Sequence, residues 1–165
     1  CIRDSIITHI PINDGPWKIF ASKNIRLSSE LKDKFSHGFV KNIEEIEHKG
    51  FRVVDLGTDS QVSVDYPDIG DKLALYLLSG LARYGVILCG TGIGVSIAAN
   101  RYAGIRAALC HDIETARLGR QHNDANVLVM GARQINASLA EDCLIAFLTI
   151  PFEGGRHQRR VFKLA

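Results

Sequence analysis

A cysteine followed by three glycines in five positions, Cys89-Gly90-Thr91-Gly92-Ile93-Gly94, is where this chain can most readily do chemistry. The segment follows the apolar run Val86-Ile87-Leu88 and precedes Val95-Ser96-Ile97-Ala98-Ala99. A buried strand, a glycine-rich turn and a helix in that order make an anion site, because the turn aims backbone N–H groups of the helix start at a ligand. The same positive field favours a thiolate beside an oxyanion. Proton transfer or nucleophilic chemistry therefore fits better than phosphate binding alone. Two readings of Cys89 stand on residue type: a small apolar residue closing a strand, or a reactive base. Thr91 either caps the following helix or relays a proton. The glycines lack the full dinucleotide spacing and do not sit at the first strand-to-helix turn, which argues against a nicotinamide cofactor.

Three further clusters carry polar chemistry. His122 and Asn123 lie in Arg120-Gln121-His122-Asn123-Asp124, expected in the loop after a helix, where a histidine is either solvated or an acid–base group for a sugar. Arg133 falls just past an expected strand end, where anions bind. In Gly154-Gly155-Arg156-His157-Gln158-Arg159-Arg160, Arg156 and Arg160 are four apart. A helix would place them on one side, and paired guanidiniums suit a phosphate dianion, with Arg133 as a third member. Asp65, ahead of Tyr66-Pro67, either starts a helix or orients a catalytic group or a substrate hydroxyl.

These groups need a scaffold. Apolar runs predict strands at Lys18–Ser22, Phe51–Leu56, Val86–Cys89, Ile105–Cys110 and Asn126–Met130. Helices are expected over Ser29–His48 with Gly50 as its stop, Pro67–Tyr84 with Gly85 just past its end, a short stretch after the glycine turn, Asp112–Arg120, Asn136–Thr149 opening on a Ser138/Glu141 capping box, and about His157–Lys163. Apolar strands alternating with helices predict a parallel sheet covered on both faces, with ligands beyond the strands' carboxyl ends. Residues 1–16 show no period and read as an irregular extension, and 17–165 as one domain.

The length of 165 residues suits one domain, and a net charge of +2 gives no reason for a nucleic-acid or membrane partner. No stretch reads as a signal peptide or membrane span. Cys1, Cys89, Cys110 and Cys143 have neither zinc spacing nor a disulfide framework, so a reduced, cytoplasmic compartment is expected.

Taken in order, Val53-Val54-Asp55-Leu56-Gly57-Thr58, Val64-Asp65-Tyr66-Pro67-Asp68, Cys89 through Asn100, Arg120 through Leu128 and Gly154 through Arg160 resemble the type B ribose-5-phosphate isomerases, a family shared with galactose-6-phosphate isomerase subunits. The resemblance covers roughly residues 50–162. It implies a Rossmann-like three-layer fold with a five-stranded parallel sheet, a homodimer or dimer of dimers with sites built across the interface, and no metal or organic cofactor. It implies interconversion of ribose 5-phosphate and ribulose 5-phosphate through an enediolate. In that scheme Cys89 moves the proton between C1 and C2, Thr91 assists, and the amides of Gly90, Gly92, Ile93 and Gly94 hold the developing charge. His122 opens the furanose ring beside Asn123. Arg133, Arg156 and Arg160 bind phosphate with His157 near them, and Asp65 and Tyr66 lie close to the base.

One stretch departs from the family. Where its first strand ends in a Ser-Asp-His-Ala-Gly-like segment, this chain has Ala21-Ser22-Lys23-Asn24-Ile25-Arg26. Lysine cannot accept a hydrogen bond from a sugar hydroxyl, so no substrate role passes to Lys23 or Asn24. Either the pocket is rebuilt there or residues 1–30 are not the native translation of the ancestral segment. Rival readings are an isomerase of a hexose phosphate, of the allose or galactose 6-phosphate type, and a catalytically impaired sugar-phosphate-binding homologue.

Overall fold

Every residue of Gly85–Cys89 and of Val127–Gly131 is buried, so both strands need cover on both faces. The computed structural model describes residues 5–6, 17–19, 51–54, 56 and 65–164. Its elements are β1 (Ser5–Ile6), β2 (Trp17–Ile19), β3 (Phe51–Val53), α1 (Tyr66–Leu78), β4 (Gly85–Cys89), α2 (Ile93–Ala99), β5 (Ala107–Leu109), α3 (Ile113–Asn123), β6 (Val127–Gly131), α4 (Ala137–Thr149), a 3-10 turn (Gly155–His157) and α5 (Gln158–Val161).

Strands β4, β6 and β5 run parallel in that order, Gly85 facing Val127, Cys89 facing Gly131 and Ala107 facing Val127. Ser5 and Ile6 add an antiparallel edge to β4, and β2 pairs with β3 in parallel. The expected helix over Ser29–His48 and the Lys23-Asn24 pair lie outside the described residues.

Because side chains alternate along a strand, the sheet builds two cores. Val86, Leu88, Leu128 and Met130 face Ala116 of α3 and Ala140, Cys143, Leu144 and Phe147 of α4. Ile87, Cys89, Val127 and Val129 face Ile69, Leu73, Ala74 and Leu77 of α1 and Val95 and Ala99 of α2. Each large apolar side chain so buried contributes about 1.5–3 kcal/mol. The result is three layers, helix, sheet and helix, and Cys89 takes its place on the α1/α2 side by strand alternation.

Several expected boundaries are corrected. The helix expected to reach Tyr84 stops at Leu78: Ser79 caps it and Gly80, at φ +73°, turns the chain out. Gly85 is the first residue of β4 instead of a helix stop. α4 is capped by Asn136, whose side chain accepts from the Leu139 N–H, so Ser138 does not open it. A reciprocal capping box forms elsewhere, between Asp112 and Thr115 at the head of α3.

Candidate active site

The turn after β4 is stitched to the turn after β6. The Ala132 N–H donates to the Cys89 carbonyl at 2.9 Å and the Arg133 N–H to the Gly90 carbonyl at 3.1 Å. Cys89 is buried, 9 % exposed, at the mouth of the sheet. Arg133 is exposed, and its guanidinium lies over Gly90, where an added Cβ would come within 3.3 Å of its Cζ. Thr91 Oγ1 accepts from the Ile93 N–H at 3.4 Å, so Thr91 supports the first turn of α2, and its hydroxyl proton can point elsewhere. Gly92 sits at φ +77°, and a Cβ there would strike Leu109 at 2.5 Å; only glycine makes this corner. Tyr66 walls the loop: a Cβ on Gly94 would meet its ring at 2.6 Å. Asp65 stands at the N-cap of α1, exposed, and its side chain makes no capping hydrogen bond. The structure thus gathers Asp65, Tyr66, Cys89, Gly90, Thr91, Gly92, Ile93, Gly94 and Arg133 at the carboxyl end of the sheet.

The other described cysteines are packing groups. Burial pushes the Cys110 thiol up to about 12 and Cys143 up to about 11, so both stay protonated at neutral pH.

A second group forms around His122. Sequence placed His122 and Asn123 in a loop; they are instead the last two residues of α3. The helix runs past Arg120 because that residue is anchored. Its buried guanidinium, 2 % exposed, donates to Asp124 Oδ1 at 2.9 Å, the Ala125 carbonyl at 2.7 Å and Tyr84 Oη at 2.8 Å. Its Cζ lies 4.6 Å from the Tyr84 ring centre, a cation–π contact. Asp124, at φ 47°, closes the helix and also takes Arg106 at 2.8 Å.

The His122 and His157 rings stack, 4.2 Å between centres and 4° from parallel. Arg156 Nε donates to His157 Nε2 at 3.2 Å. Burial, then the charges of His122, Arg156 and Arg160, holds His157 below the usual histidine range, against the pull of Glu153. Its contribution to stability is therefore present above the ordinary histidine value and lost as pH falls through the lowered native one. Arg156 and Arg160, both exposed, flank this stack across the junction of the 3-10 turn and α5. Glu153 joins this group from outside every motif of the sequence. Its carboxylate lies 3.8 Å from His122 Nε2 and 3.9 Å from His157 Nε2. Its only sequence signal is its place four residues before His157.

The two groups occupy opposite ends of the sheet. Cys89 ends β4, whereas His122 lies in the last turn of α3, which leads into the start of the parallel strand β6. Crossing the five residues of β6 takes roughly 13 Å at about 3.3 Å per residue. Among the described residues no hydrogen bond or ion pair joins the two groups. Within one chain Arg133 and the Arg156/Arg160 pair therefore do not share one compact site.

A three-layer fold with a glycine-rich anion turn behind a cysteine at the end of a parallel strand defines a class. Residues 32–164 match the Ribose/Galactose Isomerase family, and the chain belongs to it. It is 45 % identical over 127 residues to ribose-5-phosphate isomerase B of Escherichia coli, covering 75 % of this chain and 85 % of that protein. Ribose-5-P isomerase B of Listeria innocua is 40 % identical over 119 residues, covering 72 % and 80 %. A crystal structure of a ribose 5-phosphate isomerase from Thermotoga maritima superposes with a TM-score of 0.73 at 50 % identity, over 79 % of this chain and 90 % of that one. The type B ribose 5-phosphate isomerase of Trypanosoma brucei gives 0.74 at 39 %, over 81 % and 90 %.

Proposed function

We propose that this chain is an aldose–ketose isomerase interconverting ribose 5-phosphate and ribulose 5-phosphate. The observation that carries the reading is Cys89 held at the strand end under the glycine turn and Arg133, in a chain that shares 45 % identity with a named ribose-5-phosphate isomerase B. The Cys89 thiolate takes the C2 proton of the open-chain aldose. The electron pair of that bond forms C1=C2, and O1 becomes the enediolate oxygen. The thiol then returns the proton to C1 while the O2 proton passes to O1, and Thr91 assists that transfer. Backbone amides of Gly90, Gly92, Ile93 and Gly94 stabilise the enediolate, an effect of about 2.7–4 kcal/mol per donor in comparable oxyanion sites. Asp65 and Tyr66 border the base. The scheme uses no metal and no organic cofactor.

His122, with Asn123 beside it, opens the furanose ring, and Arg133, Arg156, His157 and Arg160 hold the phosphate. Since the two groups lie at opposite ends of one sheet, a second copy supplies the His122 end to the Cys89 end. The working unit is a homodimer or a dimer of dimers. In this reading residues 17–165 form one domain with a five-stranded parallel sheet after a 1–16 extension, and the enzyme works in the cytoplasm. Neither nucleic acid nor membrane enters the scheme; among the described residues no helix is long and apolar enough to cross a membrane.

The family's name joins ribose and galactose, so sugar length is the point to test. Purified protein is expected to turn over ribose 5-phosphate with a kcat/KM at least about tenfold above those for allose 6-phosphate and galactose 6-phosphate. Faster turnover of a hexose phosphate sinks the pentose assignment. Phosphosugar binding with no turnover sinks the enzyme, as expected if Lys23 and Asn24 have disabled the pocket.

A further inference from the structure

Glu153 belongs to neither the anion turn nor the phosphate arginines, yet two independent contacts tie it to the end of α3 that carries the ring-opening histidine. Its backbone N–H donates to the Gln121 carbonyl at 3.1 Å, fastening the C-terminal segment to α3 one residue before His122. Its carboxylate then stands 3.8 Å from His122 Nε2. His157, stacked on the other ring, does not compete equally for that charge. Arg156 Nε donates to His157 Nε2, which makes that nitrogen an acceptor and the ring neutral. The Glu153 carboxylate is therefore left facing His122.

The three groups have donor atoms suited to a transition metal. However, Arg156 occupies the His157 lone pair, and its charge with that of Arg160 opposes a cation. The arrangement fits a proton-handling device better.

We propose that Glu153 is a positioning residue for His122, holding it by the segment's backbone contact and compensating the positive charge that ring opening places on its imidazole. The inference rests on the isomerase reading. In the step it serves, His122 takes the proton from O1 of the furanose, C1=O1 forms as the C1–O4 bond breaks, and the same proton goes to O4. The imidazolium exists only between those transfers, so a nearby carboxylate favours the transition states over the resting enzyme. The other charges facing His122 are Glu114, which is paired with Arg117 on α3, and Arg156 and Arg160 beyond His157.

The test compares Glu153→Gln and Glu153→Asp with the unmodified protein on ribose 5-phosphate across pH. Glutamine keeps the shape and the backbone N–H and removes only the charge. It is expected to lower kcat by about tenfold, the scale of one partly screened charge at this distance. KM should stay within about twofold, since the three phosphate arginines are untouched. The acidic limb of kcat should move to lower pH by about one unit, because the imidazolium loses its counter-charge. Aspartate should return the limb toward its original position. A fall in kcat with an unmoved limb, or unchanged kinetics, overturns the inference and leaves the isomerase reading intact. Absence of turnover in the unmodified protein overturns both.

Discussion

Cys89→Ala is expected to lose isomerase activity by about 10²–10⁴-fold in kcat, the usual contribution of a positioned proton-transfer group. The protein should remain folded. Cys89 closes a strand instead of filling the middle of a core, and removing one buried sulfur costs on the order of 1 kcal/mol. Its backbone carbonyl, which receives the Ala132 N–H, is retained, so the joint between the two turns survives. Arg133 and the glycine amides are also untouched, so binding of substrate should change far less than turnover. Steady-state kinetics paired with thermal unfolding checks this. A variant that keeps its kcat removes Cys89 as the base, and one that unfolds returns Cys89 to the role of an apolar strand end. Cys110 and Cys143 cannot substitute, being buried on the other face with their thiols held protonated.

Arg120→Ala is the substitution expected to cost most in stability, about 3–5 kcal/mol. The buried guanidinium gives hydrogen bonds to Asp124, to the Ala125 carbonyl and to Tyr84, and it packs against the rings of Tyr84 and Phe147. Among the described residues its Nε has no partner, so the network is already imperfect. Alanine removes three charge-assisted donors and opens a cavity beside Phe147. Asp124 keeps Arg106, which limits the loss on that side. Arg120→Lys should recover little, because one ammonium cannot reach acceptors spread along a planar fork. Urea unfolding with an unchanged m-value would report the difference directly. A loss below about 1 kcal/mol would show the network to be ornamental to the fold.

This network also explains what the sequence left hidden. The strands Gly85–Cys89 and Val127–Gly131 were legible because five consecutive buried positions leave an unbroken apolar run. The glycine turn was legible because its geometry is local: Gly92 needs a left-handed φ, and no contact elsewhere has to be known to see it. The end of α3 was not. Arg120-Gln121-His122-Asn123 reads as polar loop until the Arg120 side chain is seen to find Tyr84, thirty-six residues away, which lets the helix continue. The stop of α1 failed differently, since Gly80 and Gly85 are both plausible ends and only the start of β4 chooses between them. The head of α4 shows the same competition among Asn136, Ser138 and their neighbours. Glu153 was invisible because its contact with His122 links distant parts of the chain. The separation of Cys89 from His122 follows from topology alone, as the last turn of a helix that leads into a parallel strand lies at the amino end of the sheet.

That separation makes the site a property of two chains. Subunit mixing tests it most directly. Cys89→Ala and His122→Asn are each prepared as inactive proteins, then mixed in equal amounts under conditions that allow exchange, and ribose 5-phosphate turnover is followed. Half the dimers become hybrids with one intact site in two, so activity should recover to about a quarter of the unmodified protein's. No recovery despite confirmed exchange would contradict a site shared between copies.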